Sequence, residues 1–206
     1  MMQPALVVVK VGGSLLDWPE LPGRLTAYLN ARRALDSLER IVLIAGGGLA
    51  ADWIRALDRI HGLGEQSADA LARHALDLTA VVLAGVIPES IACDRLEMLK
   101  DAWDSGSIPI LAPRSVLLEI DRTGEYRLPA SWDVTSDAIA ASITAFLGAG
   151  SLVLVKSAPL PPGATRRVAA RLGLVDPMFP KVAGSIPRVE YVNLRGDPLE
   201  RRPLPP

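Results

Sequence analysis

Two glycine runs stand where a chain could cradle an anion. Gly12-Gly13-Ser14 closes the apolar run Ala5 to Val11, and Gly46-Gly47-Gly48 closes a second run, Arg40 to Ala45. In such turns, glycines let backbone N–H groups approach an anion closely, and a following helix adds its positive end. Either turn alone is equally a tight strand-to-helix connection; the two together point to phosphate binding. Lys10 stands inside the first run, one residue ahead of the glycines. It either snorkels to an edge or aims its ammonium at the anion. Asp137, at the start of a helical stretch, and Lys181, in a loop, are ordinary residues when read singly. Neither turn carries the Gly-Lys-Ser/Thr of a Walker loop or the Gly-x-Gly-x-x-Gly of a dinucleotide fold.

Buried strands must present these residues. Ala5–Val11 and Arg40–Ala45 are continuous β-branched runs of the kind buried on both faces, and Ser151–Val155 is a third. Ile108–Leu111 and Arg188–Leu194 read as further strands. Helical spacing covers Pro22–Leu35, Ala50–Ile60, Ser67–Val86 (stopped by Pro88), Asp94–Asp104 and Thr135–Leu147, with a short stretch ending at Leu172. Thr135 or Ser136 is a natural cap for the helix that holds Asp137. Gly124 is expected in a hairpin turn between Leu117–Ile120 and Tyr126–Leu128. The alternation gives an α/β fold, a three-layer sandwich on a mainly parallel sheet, where ligands collect at the carboxyl ends of strands. No repeat of fixed period is visible. The last nine residues, from Pro198, hold four prolines and read as a loose tail.

The chain has 206 residues and a formal net charge of -1, without the basic excess of a nucleic-acid binder. One cysteine, Cys93, excludes a disulfide framework, and two histidines, His61 and His74, argue against a histidine-built metal centre. Cys93 reads as a buried small hydrophobe, and His61 as a helix-end histidine favoured by the dipole. Trp53 and Trp132 could roof a flat ring, with core packing the default for Trp53. Met1–Lys10 shows no targeting pattern. The longest apolar stretch, Leu78–Ile87, is far below the roughly 20 residues that span a bilayer. A cytoplasmic protein with no membrane or nucleic-acid partner is expected.

As a set, these residues resemble the amino acid kinase family. Lys10-Val11-Gly12-Gly13-Ser14 is similar to its first phosphate loop and Gly46-Gly47-Gly48 to its second. Thr135-Ser136-Asp137-Ala138-Ile139-Ala140-Ala141 is similar to its catalytic-aspartate helix start, and Pro180-Lys181-Val182 to its late lysine motif. The resemblance implies phosphoryl transfer from ATP to a small phosphate or carboxylate acceptor, with Mg²⁺ held mainly through ATP phosphates and no metal-binding residues of its own. It implies that Lys10 and Lys181 flank the group in flight and that Asp137 holds both ammonium groups. Gly12, Gly13, Ser14 and Lys156 would take the nucleotide phosphates. Gly46, Gly47, Gly48, Asp52 and Asp133 would take the acceptor. One domain over 1–197 is implied, with an acceptor lobe of about 1–150, a shortened nucleotide lobe of about 151–197, and assembly as a homo-oligomer.

Departures narrow the branch. Bacterial UMP kinases place an arginine, and isopentenyl phosphate kinases a histidine, four residues beyond the third glycine of the second loop; here stands Asp52. The substrate-gripping arginine motif of acetylglutamate kinases is not recognisable. Asp133 occupies the usual substrate-contacting place, four residues before Asp137. Two carboxylates near the acceptor suggest a substrate with a positive group, whose ammonium would offset their desolvation, although Asp52 is also a natural first-turn residue, Asp133 a natural cap and Arg55 a surface ion-pair partner. The pattern is most like the methanofuran-biosynthesis branch, the (aminomethyl)furanmethyl phosphate kinases. Alternatives are a UMP, isopentenyl phosphate or amino-acid kinase, or a non-catalytic nucleotide-binding member of the fold. Only 23 residues separate Ser157 from Lys181, so any lid is short.

Overall fold

The computed structural model describes residues 5–206, so the first four residues of the Met1–Lys10 reading lie outside it. The three β-branched runs form the middle of a sheet: β1 (Leu6–Val11), β2 (Arg40–Ala45) and, on the other side of β1, β5 (Ser151–Lys156). Adding β3 (Ser90–Cys93), β4 (Ile108–Leu111), β6 (Arg188–Asn193) and β7 (Glu200–Pro203) gives the order β3-β4-β2-β1-β5-β6-β7. All neighbours are parallel except β6 and β7.

Pleat parity divides the core. Val7, Val9 and Val11 pack on the layer of α1 (Leu21–Leu35) and α3 (Glu65–Val86). Val8, Leu152 and Leu154 pack on the layer of α4 (Glu97–Asp104), α5 (Arg114–Thr123) and α6 (Ser136–Phe146). The expected three-layer sandwich is the observed fold. The remaining helices are α2 (Gly48–His61), α7 (Arg166–Arg171) and the single turn α8 (Phe179–Val182).

Three expectations are corrected. The segment around Leu117 is the helix α5, not a hairpin strand: Val116, Leu117 and Ile120 are buried at helical spacing, and Gly124 ends the helix in the left-handed conformation by donating its N–H to the Ile120 carbonyl at 3.0 Å. A short strand, β3, precedes α4, which starts at Glu97 rather than Asp94. The proline-rich tail is not loose. Its residues 200–203 form β7, and Leu204 beyond them is 1% exposed. Its prolines are tolerated because β7 is an edge strand.

Candidate functional site

Lys10 and Lys156 owe their meeting to strand register. Lys10 pairs with Leu154 across β1 and β5, so Lys156 lies one pleat further along the neighbouring strand. Both side chains leave the same face of the sheet, towards α6. Asp137, in the first turn of α6, meets them there. Its Oδ1 lies 2.8 Å from the Lys10 ammonium, and its Oδ2 accepts a 2.7 Å hydrogen bond from Lys156. Lys10 is 2% exposed and Asp137 3%. Burial pushes the Asp137 carboxyl up, but the two ammonium groups pull it further down, to about 2. Burial dominates at Lys156 and lowers it to about 8 despite Asp137.

The two glycine turns interlock beside this cluster. A Cβ on Gly13 would fall 2.3 Å from the Gly48 nitrogen, and one on Gly46 would fall 2.5 Å from the Gly13 nitrogen. Backbone therefore packs on backbone, at a distance only glycine permits. Ser14 follows, its hydroxyl 2.8 Å from that of Ser157. The N-termini of α2 and α6 open into one cavity of about 550 Å³ together with Gly13, Ser14, Lys10 and Lys156. Two helix ends, free loop N–H groups and two ammoniums form a strong anion site.

The far wall has the opposite character. Asp52 lines it but is already paired with Arg55 at 2.7 Å, and Asp69 with Arg73 at 2.8 Å; Glu65 faces the same space. Trp132 is held from two sides: its indole N–H donates to Asp58 at 2.7 Å, and Arg55 lies 4.7 Å from the ring centroid. The cavity is thus cationic at the strand ends, while towards α2 and α3 Arg55 and Arg73 pair two of the three carboxylates and leave Glu65 without an ion-pair partner among the described residues.

Several expected residues stand elsewhere. Lys181 is exposed on α8 and does not line the cavity; the second ammonium on Asp137 belongs to Lys156. Asp133 is likewise exposed, outside the cavity lining. Its backbone oxygen, rather than its carboxylate, is engaged, accepting from Met178. Gly12 and Gly46 shape the turns without facing the cavity. Thr135 does not cap α6 with its side chain. Asp176 does so instead, its Oδ2 accepting from the Thr135 N–H, the Thr135 hydroxyl and the Ala138 N–H at 3.1, 3.0 and 2.8 Å. Burial, then the nearby Asp137 charge, raises its pKa. Asp176 Oδ1 is buried without a partner in the cavity wall. An aspartate in a Val-Asp-Pro loop carries no sequence signal for this role. Trp53 is 66% exposed on α2 rather than packed in the core, His61 and His74 are exposed, and Cys93 is buried.

Comparison with known proteins shows the family and the fold. Residues 5–159 match the amino acid kinase family, three quarters of the chain. The chain belongs to the amino acid kinase family. Over 150 residues it is 32% identical to the [5-(aminomethyl)furan-3-yl]methyl phosphate kinase of Methanocaldococcus jannaschii, covering 71% of this chain and 63% of that relative. It therefore spans less than two thirds of the relative's length. Among solved structures, uridylate kinase from Archaeoglobus fulgidus superposes with a TM-score of 0.57 at 18% identity, over 89% of this chain and 88% of that one. UMP kinase from Ureaplasma parvum gives 0.61 at 12% identity, over 96% and 93%. At those identities the likeness establishes the fold. No helix among the described residues is long and apolar enough to cross a membrane.

Proposed function

We propose that this chain is a small-molecule kinase that moves the γ-phosphoryl group of ATP to a phosphate-bearing acceptor with a cationic end. One observation carries the reading: Asp137 holds Lys10 and Lys156 side by side, at 2.8 and 2.7 Å, where two glycine turns and two helix N-termini converge. Simple anion binding does not require a buried and a part-buried lysine fixed by one carboxylate. Phosphoryl transfer does benefit, because charge spread over the equatorial oxygens is met by positioned cations.

In this reading the nucleotide phosphates lie against Gly13, Ser14 and Lys156, with Gly12 shaping the turn behind them. The acceptor phosphate lies against Gly47, Gly48 and the start of α2, in the 1–150 half, with Gly46 shaping the turn. Lys10 and Lys156 flank the migrating group, and Asp137 fixes both ammoniums by charge-assisted contacts without itself taking a proton. The described residues hold no group of three or more metal-ligating side chains. The donor set fits a Mg²⁺ carried on phosphate oxygens, with Asp176 Oδ1 as a buried carboxylate oxygen without a partner in the cavity wall. Such an ion would neutralise phosphate charge. Glu65, the carboxylate opposite the lysines that no arginine pairs, suits a substrate bearing phosphate at one end and ammonium at the other. Trp132 offers an edge to a flat ring between them. That is the chemistry of an aminomethyl-furanmethyl phosphate, which would leave as the diphosphate. Self-association through the exposed apolar residues Leu71, Leu78 and Val82 of α3 belongs to the same reading, and sedimentation of the purified chain tests it.

A coupled ADP-release assay with MgATP tests the function, run against the furan phosphate, UMP, isopentenyl phosphate, acetylglutamate and aspartate. Turnover is expected on the furan phosphate. Turnover on UMP or an amino acid instead would overturn the bipolar-acceptor reading, and silence across the panel with ATP bound would overturn the kinase itself.

A further inference from the structure

A second cavity, of about 500 Å³, lies at the opposite end of the sheet, where β5 and β6 begin. Its floor at Ser151 is about 17 Å along β5 from Lys156, at the usual rise of a strand. Five arginines from four elements line it: Arg32 of α1, Arg166 of α7, Arg188 of β6, and Arg201 and Arg202 of β7. Two carboxylates share the wall and neutralise two of them. Glu39 takes both forks of Arg32, at 2.5 and 2.8 Å, and Glu190 takes both forks of Arg201, at 3.0 and 3.3 Å.

Of the other three, Arg166 and Arg188 have no acidic partner among the described residues. Arg166, 2% exposed, donates only to the backbone carbonyls of Leu204, Ala183 and Ile186, so its charge is uncompensated. Arg202 meets Glu200 only at 3.9 Å and keeps a buried Nε without a partner. Arg188 is exposed. Five guanidiniums stand against the two lining carboxylates, with Glu200 3.9 Å from Arg202 as a third, so the side chains leave an excess of two positive charges around one concavity. Guanidinium forks match phosphate oxygens in pairs. No aromatic ring lines the cavity among the described residues, so nothing is offered for a base to stack on.

We propose that this cavity is a second anion site, for a short chain of linked phosphates without a base, of the di- or triphosphate type. Its occupant would bridge β7 to β6 and neutralise Arg188 and Arg202 together. The site shares no residue with the transfer cavity, so it stands whether or not the kinase reading holds.

Calorimetric titration with inorganic tripolyphosphate at low ionic strength tests it. The wild-type chain is expected to bind two equivalents, Lys156→Ala to lose one, and Arg188→Ala/Arg202→Ala to lose the other or bind it about tenfold more weakly or worse. Arg188→Lys/Arg202→Lys keeps the charge and checks that the double variant folds; it is expected to retain part of the affinity. Wild-type stoichiometry and affinity in Arg188→Ala/Arg202→Ala, or a single equivalent abolished by Lys156→Ala, would overturn the site. In the Lys156→Ala background, ADP and pyrophosphate should bind alike. A clear preference for ADP would overturn the base-free ligand.

Discussion

Asp137 sets one negative charge between the buried Lys10 and the part-buried Lys156, and the imbalance shapes what each substitution should do. Its carboxyl lies near 2, below its ordinary value, so its stabilising contribution is complete above about pH 4 and is lost as acid titrates it towards pH 2. Lys156 runs the other way. Its folded value of about 8 lies below the ordinary 10.5, so below about pH 8 the fold carries a strained ammonium, and stability through this group rises between about pH 8 and 10.5. Lys156→Met should therefore abolish turnover yet raise Tm at neutral pH, by about 2–4 °C per kcal/mol relieved. Asp137→Asn should abolish turnover and lower stability by about 3–5 kcal/mol, because it leaves the buried Lys10 and the part-buried Lys156 unpaired. Thermal melts of the two inactive proteins separate these outcomes; the same sign of Tm change in both would refute the charge argument. Activity should follow the same group. In the free enzyme, kcat/KM should fall above about pH 8 as Lys156 loses its proton, while bound phosphates move the kcat limb upward. Lys156→Arg should remove the limb from the accessible range. The cation pair was half legible in the sequence. Lys10 inside a β-branched run betrays itself, and Lys156 ends a similar run, but a loop lysine such as Lys181 cannot be placed without the fold. Asp176 was hidden for the same reason, since a buried cap supplied from 41 residues away leaves no local pattern.

Elements position these residues through two backbone contacts that permit no side chain. Gly13→Ala would put a methyl 2.3 Å from the Gly48 nitrogen, and Gly46→Ala would put one 2.5 Å from the Gly13 nitrogen. The turns must part, with an expected destabilisation of about 1–3 kcal/mol and a loss of phosphate affinity larger than that in Gly12→Ala, where the nearest atom is 3.1 Å away. Gly23→Ala in α1 is the opposite case: nothing lies within 4 Å, and the helix should gain about 0.5–1 kcal/mol. Denaturant midpoints and nucleotide titrations of the four variants check the ranking. The strands carrying both turns were readable because burial on two faces demands continuous β-branched runs. Leu117–Ile120 misled because four apolar-rich residues fit strand and helix alike, and only length and the following glycine separate them. β3 was missed because four residues with one exposed isoleucine, Ile91, carry too little pattern.

At the scale of the whole molecule, the C-terminal residues finish what β5 and β6 leave open. β6 would be a sheet edge without β7, and β6 is the neighbour that holds β5, and so Lys156, in register. Composition suggested a loose tail, since four prolines in nine residues resist regular structure. An edge strand needs only half of its N–H groups, however, and Leu204 is drawn into the core while its carbonyl takes the Arg166 guanidinium. Arg166 joins three carbonyls from separate segments, so Arg166→Ala strands three acceptors at once and should cost about 3 kcal/mol or more. Removal of residues 198–206 should act on the same clamp and also expose the β6 edge to pairing with other chains. The truncated protein is therefore expected to melt at least several degrees lower than the full chain and to self-associate on warming, as followed by calorimetry and light scattering. The surviving monomer should bind nucleotide nearly as well, because the transfer cavity takes none of its lining from those nine residues. An unchanged Tm would show that β7 is a passive edge. A monomer that stays folded but no longer binds nucleotide would show instead that β7 governs the register of Lys156.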